Sequence, residues 1–331
     1  MAPLGKAISV GYTGQRPSDP ATSVYAGTVD AEWTIKRYAC IEHQARASAP
    51  HRDPIHVTSH FLQQTSVAPF EVWVRTLRQG RGLTNVLADL LQQGRARISV
   101  HLIFGTLSPV VRLGLSPTSG YARRHPLHVH PSIAVPTRMQ QLWSFAHRVR
   151  WARDPDLRAH NRPDGPARTH SGSVGGGGLP WGAWFQLVDP AARITPAAIA
   201  FLVDTFPNLP NLLPRAERGG IVDGETWFPT VTMGIEYKAP IPPPSATHAA
   251  RTVGLYASGT FWGEPQGRHD CYVEVWTAPS ELEEGAPRDG WRESQFCLAT
   301  STQMALCLPM SANTKATATS NAESAKSRPK L

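Results

Sequence analysis

Apolar and polar residues alternate along IHVTSHFLQ (55–63) and FEVWVRTLRQG (70–80), the period-two pattern of half-buried strands. GLTNVLADLLQQGRARISVHLIFG (82–105) reads as two further strands meeting at QQGR, where Gly94 can take the positive φ of a tight turn. Ahead of these strands, YACIEHQARASAPH (38–51) has helical composition. The same order returns later. GAWFQLVD (182–189) reads as a strand, and ITPAAIAFLVDTFPNLP (194–210) as a helix ending near Pro207. That helix carries a start signal, Thr195 as N-cap and Pro196 at the first helical position. TVTMGIEYKAP (230–240), TVGLYASGTFWG (252–263), HDCYVEVWTA (269–278) and ESQFCLATSTQMALCLP (293–309) follow, rich in β-branched and aromatic residues.

A helix followed by several antiparallel strands, twice in one chain, predicts a duplicated α+β unit. A curved antiparallel sheet wrapped around a long helix is a hot dog. The expected architecture is therefore a double hot dog: two antiparallel sheets, each wrapping a long helix, fused in one chain. The expected boundaries are an N-terminal segment (1–22), an N-terminal hot dog (23–115), a basic Pro/Gly-rich linker (116–180), a C-terminal hot dog (181–310) and a polar, disordered tail (311–331). Inside the linker, TRMQQLWSFAHRVRW (137–151) sets Leu142, Phe145, Ala146 and Val149 on one helical face. The run SGSVGGGG (171–178) carries a large ordering entropy and reads as mobile.

The chain has 331 residues, 41% apolar and 18% charged, which suits a globular protein. It has no apolar run long enough for a membrane span, and MAPLGKAISV lacks the long apolar stretch of a secretory signal. Its four cysteines (40, 271, 297 and 307) are scattered without a CxxC, as reduced thiols of an intracellular protein would be. The net charge is +8, with nine arginines against three aspartates between residues 116 and 178, and a net +3 in the tail. The basicity thus belongs to connectors. That distribution argues against a nucleic-acid groove, which needs basic and aromatic residues interleaved on one face, and fits attraction of a small polyanionic ligand.

One carboxylate, Asp204, interrupts the apolar run of residues 194–210. It could simply cap the helix end or pair with an arginine. The segments DPIHVTSHFLQQT, VWVRTLRQGRGLTNVLADLLQQGRARISVHLIFG, FLVDTFPNLP, WFPTVTMGIEYKAPIP and CLATSTQMALCLP resemble, in order and spacing, the acyl-CoA thioesterase II family, as a divergent, fungal-type member. The likeness spans about two thirds of the chain and leaves out the linker and tail. It implies hydrolysis of an acyl-CoA or related thioester, with acyl-CoA as substrate and no cofactor or metal. It also implies that Asp204 in LVDTF, Thr230 in FPTVT and Gln303 in TSTQMAL hold the hydrolytic water. The chemistry is coherent: a carboxylate accepts the proton of the attacking water, and a hydroxyl and a carboxamide orient that water without changing charge. Burial raises a carboxylate's pKa, and backbone N–H groups stabilise the oxyanion.

One position departs from the family. Its first hot-dog helix opens with Gly-Gly-Tyr, where this chain has Lys36 and Arg37 before Tyr38. Side chains there obstruct the close backbone approach an oxyanion donor needs. Two alternatives follow: a tailoring enzyme of secondary metabolism acting on a polyketide or acyl intermediate, or a non-catalytic acyl-binding module. Hot-dog hydratases pair Asp with His on one helix, and residues 195–208 hold no histidine. The histidines of HPLHVH (125, 128 and 130) lie in the linker and are expected to be solvated rather than metal-bound. The terminal PKL resembles a peroxisomal SKL address, beside an expected cytoplasmic location. The oligomeric state is expected to be a monomer or a homo-oligomer formed through hot-dog faces.

Overall fold

The computed structural model describes residues 4–8, 10–31, 33, 41, 45, 51–107, 119–137, 143–162, 179–262 and 267–313. Lys36, Arg37, Cys40, the glycine run and the tail from residue 314 to its PKL ending lie outside them, and residues 311–313, expected to be disordered, are helical. Ile41 and Ala45 are helical and fully buried, inside the segment read as the first helix.

One continuous 12-stranded antiparallel sheet runs through the protein in the order β1-β2-β4-β5-β6-β3-β10-β13-β12-β11-β8-β7. Its N-terminal half comprises β1 (Gly11–Arg16), β2 (Asp19–Thr28), β3 (Asp53–Phe61), β4 (Pro69–Gln79), β5 (Thr84–Gln92) and β6 (Arg95–Gly105). Its C-terminal half comprises β7 (Val149–Arg153), β8 (Leu179–Leu187), β10 (Thr230–Tyr237), β11 (Thr252–Phe261), β12 (Arg268–Thr277) and β13 (Cys297–Leu306). Each half follows the same order from its outer edge inward, so the duplication read from the sequence is present. The halves meet at an antiparallel seam in which His60 of β3 faces Thr232 of β10 and His56 faces Glu236. The expectation of two sheets is corrected here: β3 and β10 satisfy each other's backbone groups, leaving no edge between the halves. A two-stranded ribbon of β9 (Thr226–Trp227) and β14 (Leu308–Pro309) lies beside the main sheet.

Short helices are α1 (Leu4–Ala7), α2 (Pro155–His160) and α3 (Pro196–Leu202). In α3 the Thr195 hydroxyl accepts from the Ala198 N–H at 3.2 Å, as the start signal predicts. The expected long helix is corrected to seven residues, ending at Leu202 and not near Pro207. Every residue from Ala197 to Leu202 is buried, so packing rather than propensity sustains so short a helix. Phe201 packs edge-on to Trp33 and Phe145, which stack on each other at 5.2 Å. This cluster ties the N-terminal half, the connecting chain and α3 into one core. Among the described residues no helix is long and apolar enough to cross a membrane.

Two edge strands escape the hydrophobic pattern. In β1, GYTGQR, exposed polar residues and glycines dominate; β7, VRWAR, lies where a basic helix is expected. Residues 146–148 form one 3-10 turn, and β7 then pairs with β8 from Val149 to Arg153. The segment read as linker is therefore partly sheet. Residues 119–137 form a strap over the outer face of the C-terminal half. There Trp184 of β8 and Trp276 of β12 enclose His125, joined by Trp291. His125 is fully buried and His130 nearly so, correcting the expectation of solvated histidines for these two, while His128 is exposed. The arginines of this region also meet a folded face: Arg123 donates to Glu274 at 2.9 Å, and Arg150 pairs with Glu283.

Candidate active site

The three residues singled out in the sequence come from three elements: the turn after α3, β10 and β13. Asp204 stands just past the helix, half-buried, in the turn that closes with the Thr205 N–H on the Leu202 carbonyl at 2.9 Å. Its place is thus a helix C-terminus and not a helix interior. Gln303 is 3% exposed on the core face of β13, and its Nε2 donates to the Val203 carbonyl at 2.9 Å. That bond satisfies one of the carbonyls a helix end leaves open and ties β13 to the residue preceding Asp204.

Thr230 joins through sheet register. β10 and β13 pair Met233 with Gln303, but a bulge between Thr230 and Thr232 sets Thr230 opposite Ala305. Ala305 and Gln303 are two residues apart and share a face. Without the extra residue Thr230 would point to the opposite face; the bulge re-aims it.

Sequence reasoning missed two neighbours. Cys271 of β12 pairs with Gln303, and Ser59 of β3 pairs with Met233, giving the row Ser59, Met233, Gln303, Cys271. Burial, reinforced by the negative charge of Asp204, pushes the Cys271 thiol up to about 12. Cys271 is therefore inert at neutral pH. Ser59 is fully buried and its hydroxyl has no hydrogen-bond partner among the described residues. Its signal was available: period two in IHVTSHFLQ sets Val57, Ser59 and Phe61 on one face, and a serine is conspicuous there.

Two cavities open at opposite ends of the C-terminal half. One of about 560 Å³ opens at the start of α3, between Asp53, Leu107, Arg193, Pro196, Tyr237 and Ile241. The other, about 570 Å³, opens at the opposite end of the C-terminal half, between Arg218, Thr226, Phe261, Arg268 and Cys307. Neither is lined by Asp204, Thr230 or Gln303.

His128, Asp154 and Asp156 place one potential metal ligand each within 4.8 Å of one another. Two carboxylates therefore lie beside one of the HPLHVH histidines. Asp154, however, caps α2: its carboxylate accepts from the backbone N–H groups of His128, Asp156 and Leu157 at 2.7–3.1 Å. Its oxygens are committed to structure.

Residues 37–105 match the family model of the acyl-CoA thioesterase N-terminal domain. No curated protein sequence matches the chain. Among solved structures, a candidate thioesterase II from Thermobifida fusca is 20% identical with a TM-score of 0.66, the match covering 93% of this chain and 98% of that one. A conserved protein of unknown function with a hot dog fold, from Alicyclobacillus acidocaldarius, is 18% identical over 91% and 96% of the two chains, TM-score 0.63. The acyl-CoA thioesterase II TesB2 of Mycobacterium marinum is 14% identical over 93% and 98%, TM-score 0.58. These structures share the hot-dog fold with this chain. A signature of the acyl-CoA thioesterase N-terminal domain thus lies in the first half of a chain that is similar along its length to hot-dog structures.

Proposed function

We propose that the protein hydrolyses an acyl thioester of the acyl-CoA class within a double hot-dog scaffold. In this reading Asp204 accepts a proton from water as it attacks the thioester carbonyl, and Thr230 and Gln303 orient that water. The observation that carries the reading is the Gln303–Val203 hydrogen bond, which couples a core carboxamide to the turn bearing the carboxylate. Gln303 keeps a second N–H and its carbonyl oxygen for the water. The tetrahedral intermediate collapses with loss of the thiol, which takes up the proton, so water and thioester give acid and thiol without a cofactor. Holding water in attacking position contributes several kcal/mol to the lowered barrier.

A panel of acyl-CoAs with a thiol-detecting reagent tests this. Release of free CoA is expected, falling about 10²–10⁴-fold in Asp204→Asn, the usual contribution of a positioned base. Thr230→Val and Gln303→Leu fall less, because each orients the water without taking its proton. Undiminished release in Asp204→Asn overturns the assignment.

A second reading, a non-catalytic acyl-binding module, is favoured by the use of the Gln303 amide to close the α3 terminus. It predicts acyl-CoA binding without thiol release. A product that retains its thioester would instead identify a tailoring enzyme.

A further inference from the structure

The cleft at the far end of the C-terminal half carries chemistry that the hydrolytic reading leaves unused. Cys307 forms part of its wall, and the Cys307 Sγ lies 3.6 Å from Nδ1 of His269, within hydrogen-bond reach for sulfur. His269 is 2% exposed. Its ring stacks on Phe261 at 5.7 Å and meets Phe228 edge-on at 6.4 Å, which fixes its orientation. The backbone holds the thiol in place: the Cys307 N–H donates to the Gly267 carbonyl at 2.8 Å. Gly267 has φ +66°, and a Cβ there would stand 2.9 Å from the Cys307 carbonyl oxygen, so the close approach requires glycine.

A thiol, a nitrogen base behind it and an open cleft in front are the parts of a nucleophilic site. Burial raises the Cys307 thiol to about 11 and lowers His269. The resting pair is therefore neutral, and the imidazole acts by taking a proton during attack, not by maintaining a thiolate.

We propose that Cys307 and His269 form a second acyl-handling site at which Cys307 captures the acyl group of a thioester. Sγ bonds to the acyl carbon while His269 Nδ1 takes the thiol proton. The bond from that carbon to the departing sulfur breaks, and the proton passes to the leaving thiolate. One thioester replaces another, so no oxidant, reductant or cofactor takes part. The site adjoins the row described above: His269 pairs with Ala305, which pairs with Thr230. The proposal rests on the reading that acyl thioesters are this protein's ligands.

The test incubates the full chain, and its Asp204→Asn variant, with hexanoyl-CoA and with S-hexanoyl-N-acetylcysteamine, followed by peptide mapping. The expected result is a hydroxylamine-labile hexanoyl group on Cys307, absent in Cys307→Ser and formed at least about tenfold more slowly in His269→Gln. Circular dichroism reports whether His269→Gln is folded; if it is not, the wild-type map decides alone. An adduct confined to Cys40, Cys271 or Cys297, or no adduct in Asp204→Asn, overturns the proposal. An equal rate in folded His269→Gln also overturns it. Acylated Cys307 with no more than one equivalent of CoA released per chain across the hydrolysis panel leaves this site standing and sinks the hydrolytic reading. CoA release without a Cys307 adduct does the reverse.

Discussion

Along β4, Phe70, Val72 and Val74 are buried while Glu71, Arg75 and Leu77 face solvent; along β8, every residue from Pro180 to Leu187 is buried. The two strands belong to halves with one strand order, and the strap of residues 119–137 makes the difference. On the N-terminal half the outer face is wet and needs no polar partners. On the C-terminal half it is an interior, and its polar groups must be matched. Glu274 is 2% exposed and takes the Arg123 guanidinium and the Trp276 indole N–H, at 2.9 and 2.8 Å. The basic residues that the sequence assigned to a connector thus act partly as counterions for a buried face. Attraction of a polyanion by them is correspondingly weakened.

Removing an outward-facing tryptophan from each half should break this comparison most sharply. Trp184 is 1% exposed and donates its indole N–H to the Val129 carbonyl at 2.8 Å. Trp184→Ala should lower unfolding free energy by about 3–5 kcal/mol. Trp73 is half-exposed, under the Arg16 guanidinium, and Trp73→Ala should cost about 1 kcal/mol. Urea titration measures both, and equal losses would mean the two outer faces are energetically alike.

Acid should act through the strap. Burial, then the charge of Arg292, brings His125 down to about 3. Below the ordinary histidine pKa the unfolded chain binds a proton that the folded one does not, so stability is present above pH 6.5 and is lost as pH falls. At roughly 1.4 kcal/mol per pH unit, about 2–3 kcal/mol should disappear between pH 6.5 and 4.5. Denaturant midpoints read by tryptophan fluorescence follow the loss, and His125→Phe should flatten the profile.

Next in size is Gly254→Ala. A Cβ there would lie 2.7 Å from His125 Nε2, and overpacking of this kind costs about 1–3 kcal/mol. Calorimetry should show a lowered melting temperature. The smallest effect belongs to Arg150→Ala: its partnership with Glu283 is solvent-exposed on both sides and should be worth under about 1 kcal/mol, vanishing in salt.

The same contrast explains what was legible in the sequence. Where one face of the sheet meets water, as in β3, β4 and β5, alternation announced the strands, and QQGR announced its turn: Gln93 and Gly94 both have positive φ. β7 was read as a helix because Phe145, Ala146 and Val149 also fit a helical period, and short apolar runs do not separate the two. The largely exposed strand β1 has too few apolar positions to show any period. The one-sheet seam was invisible because edge-to-edge pairing uses backbone groups, which every residue has. At the site, Asp204 stood out as a charge in an apolar run, and Gln303 and Thr230 came from the family resemblance. Ser59 was marked by the period of IHVTSHFLQ, but Thr230's orientation depends on a bulge and the place of Cys271 on cross-strand register, neither of which a linear pattern carries.

Arg292 donates to the carbonyl of His125 across 167 residues of chain. During synthesis the strap emerges long before the strands and the tryptophan that receive it. At ribosomal speeds its partners follow by roughly 10–30 s. A nascent chain stopped short of Trp291 should carry an unsheltered aromatic segment, open to chaperones and proteases, so synthesis past Trp291 seals the strap.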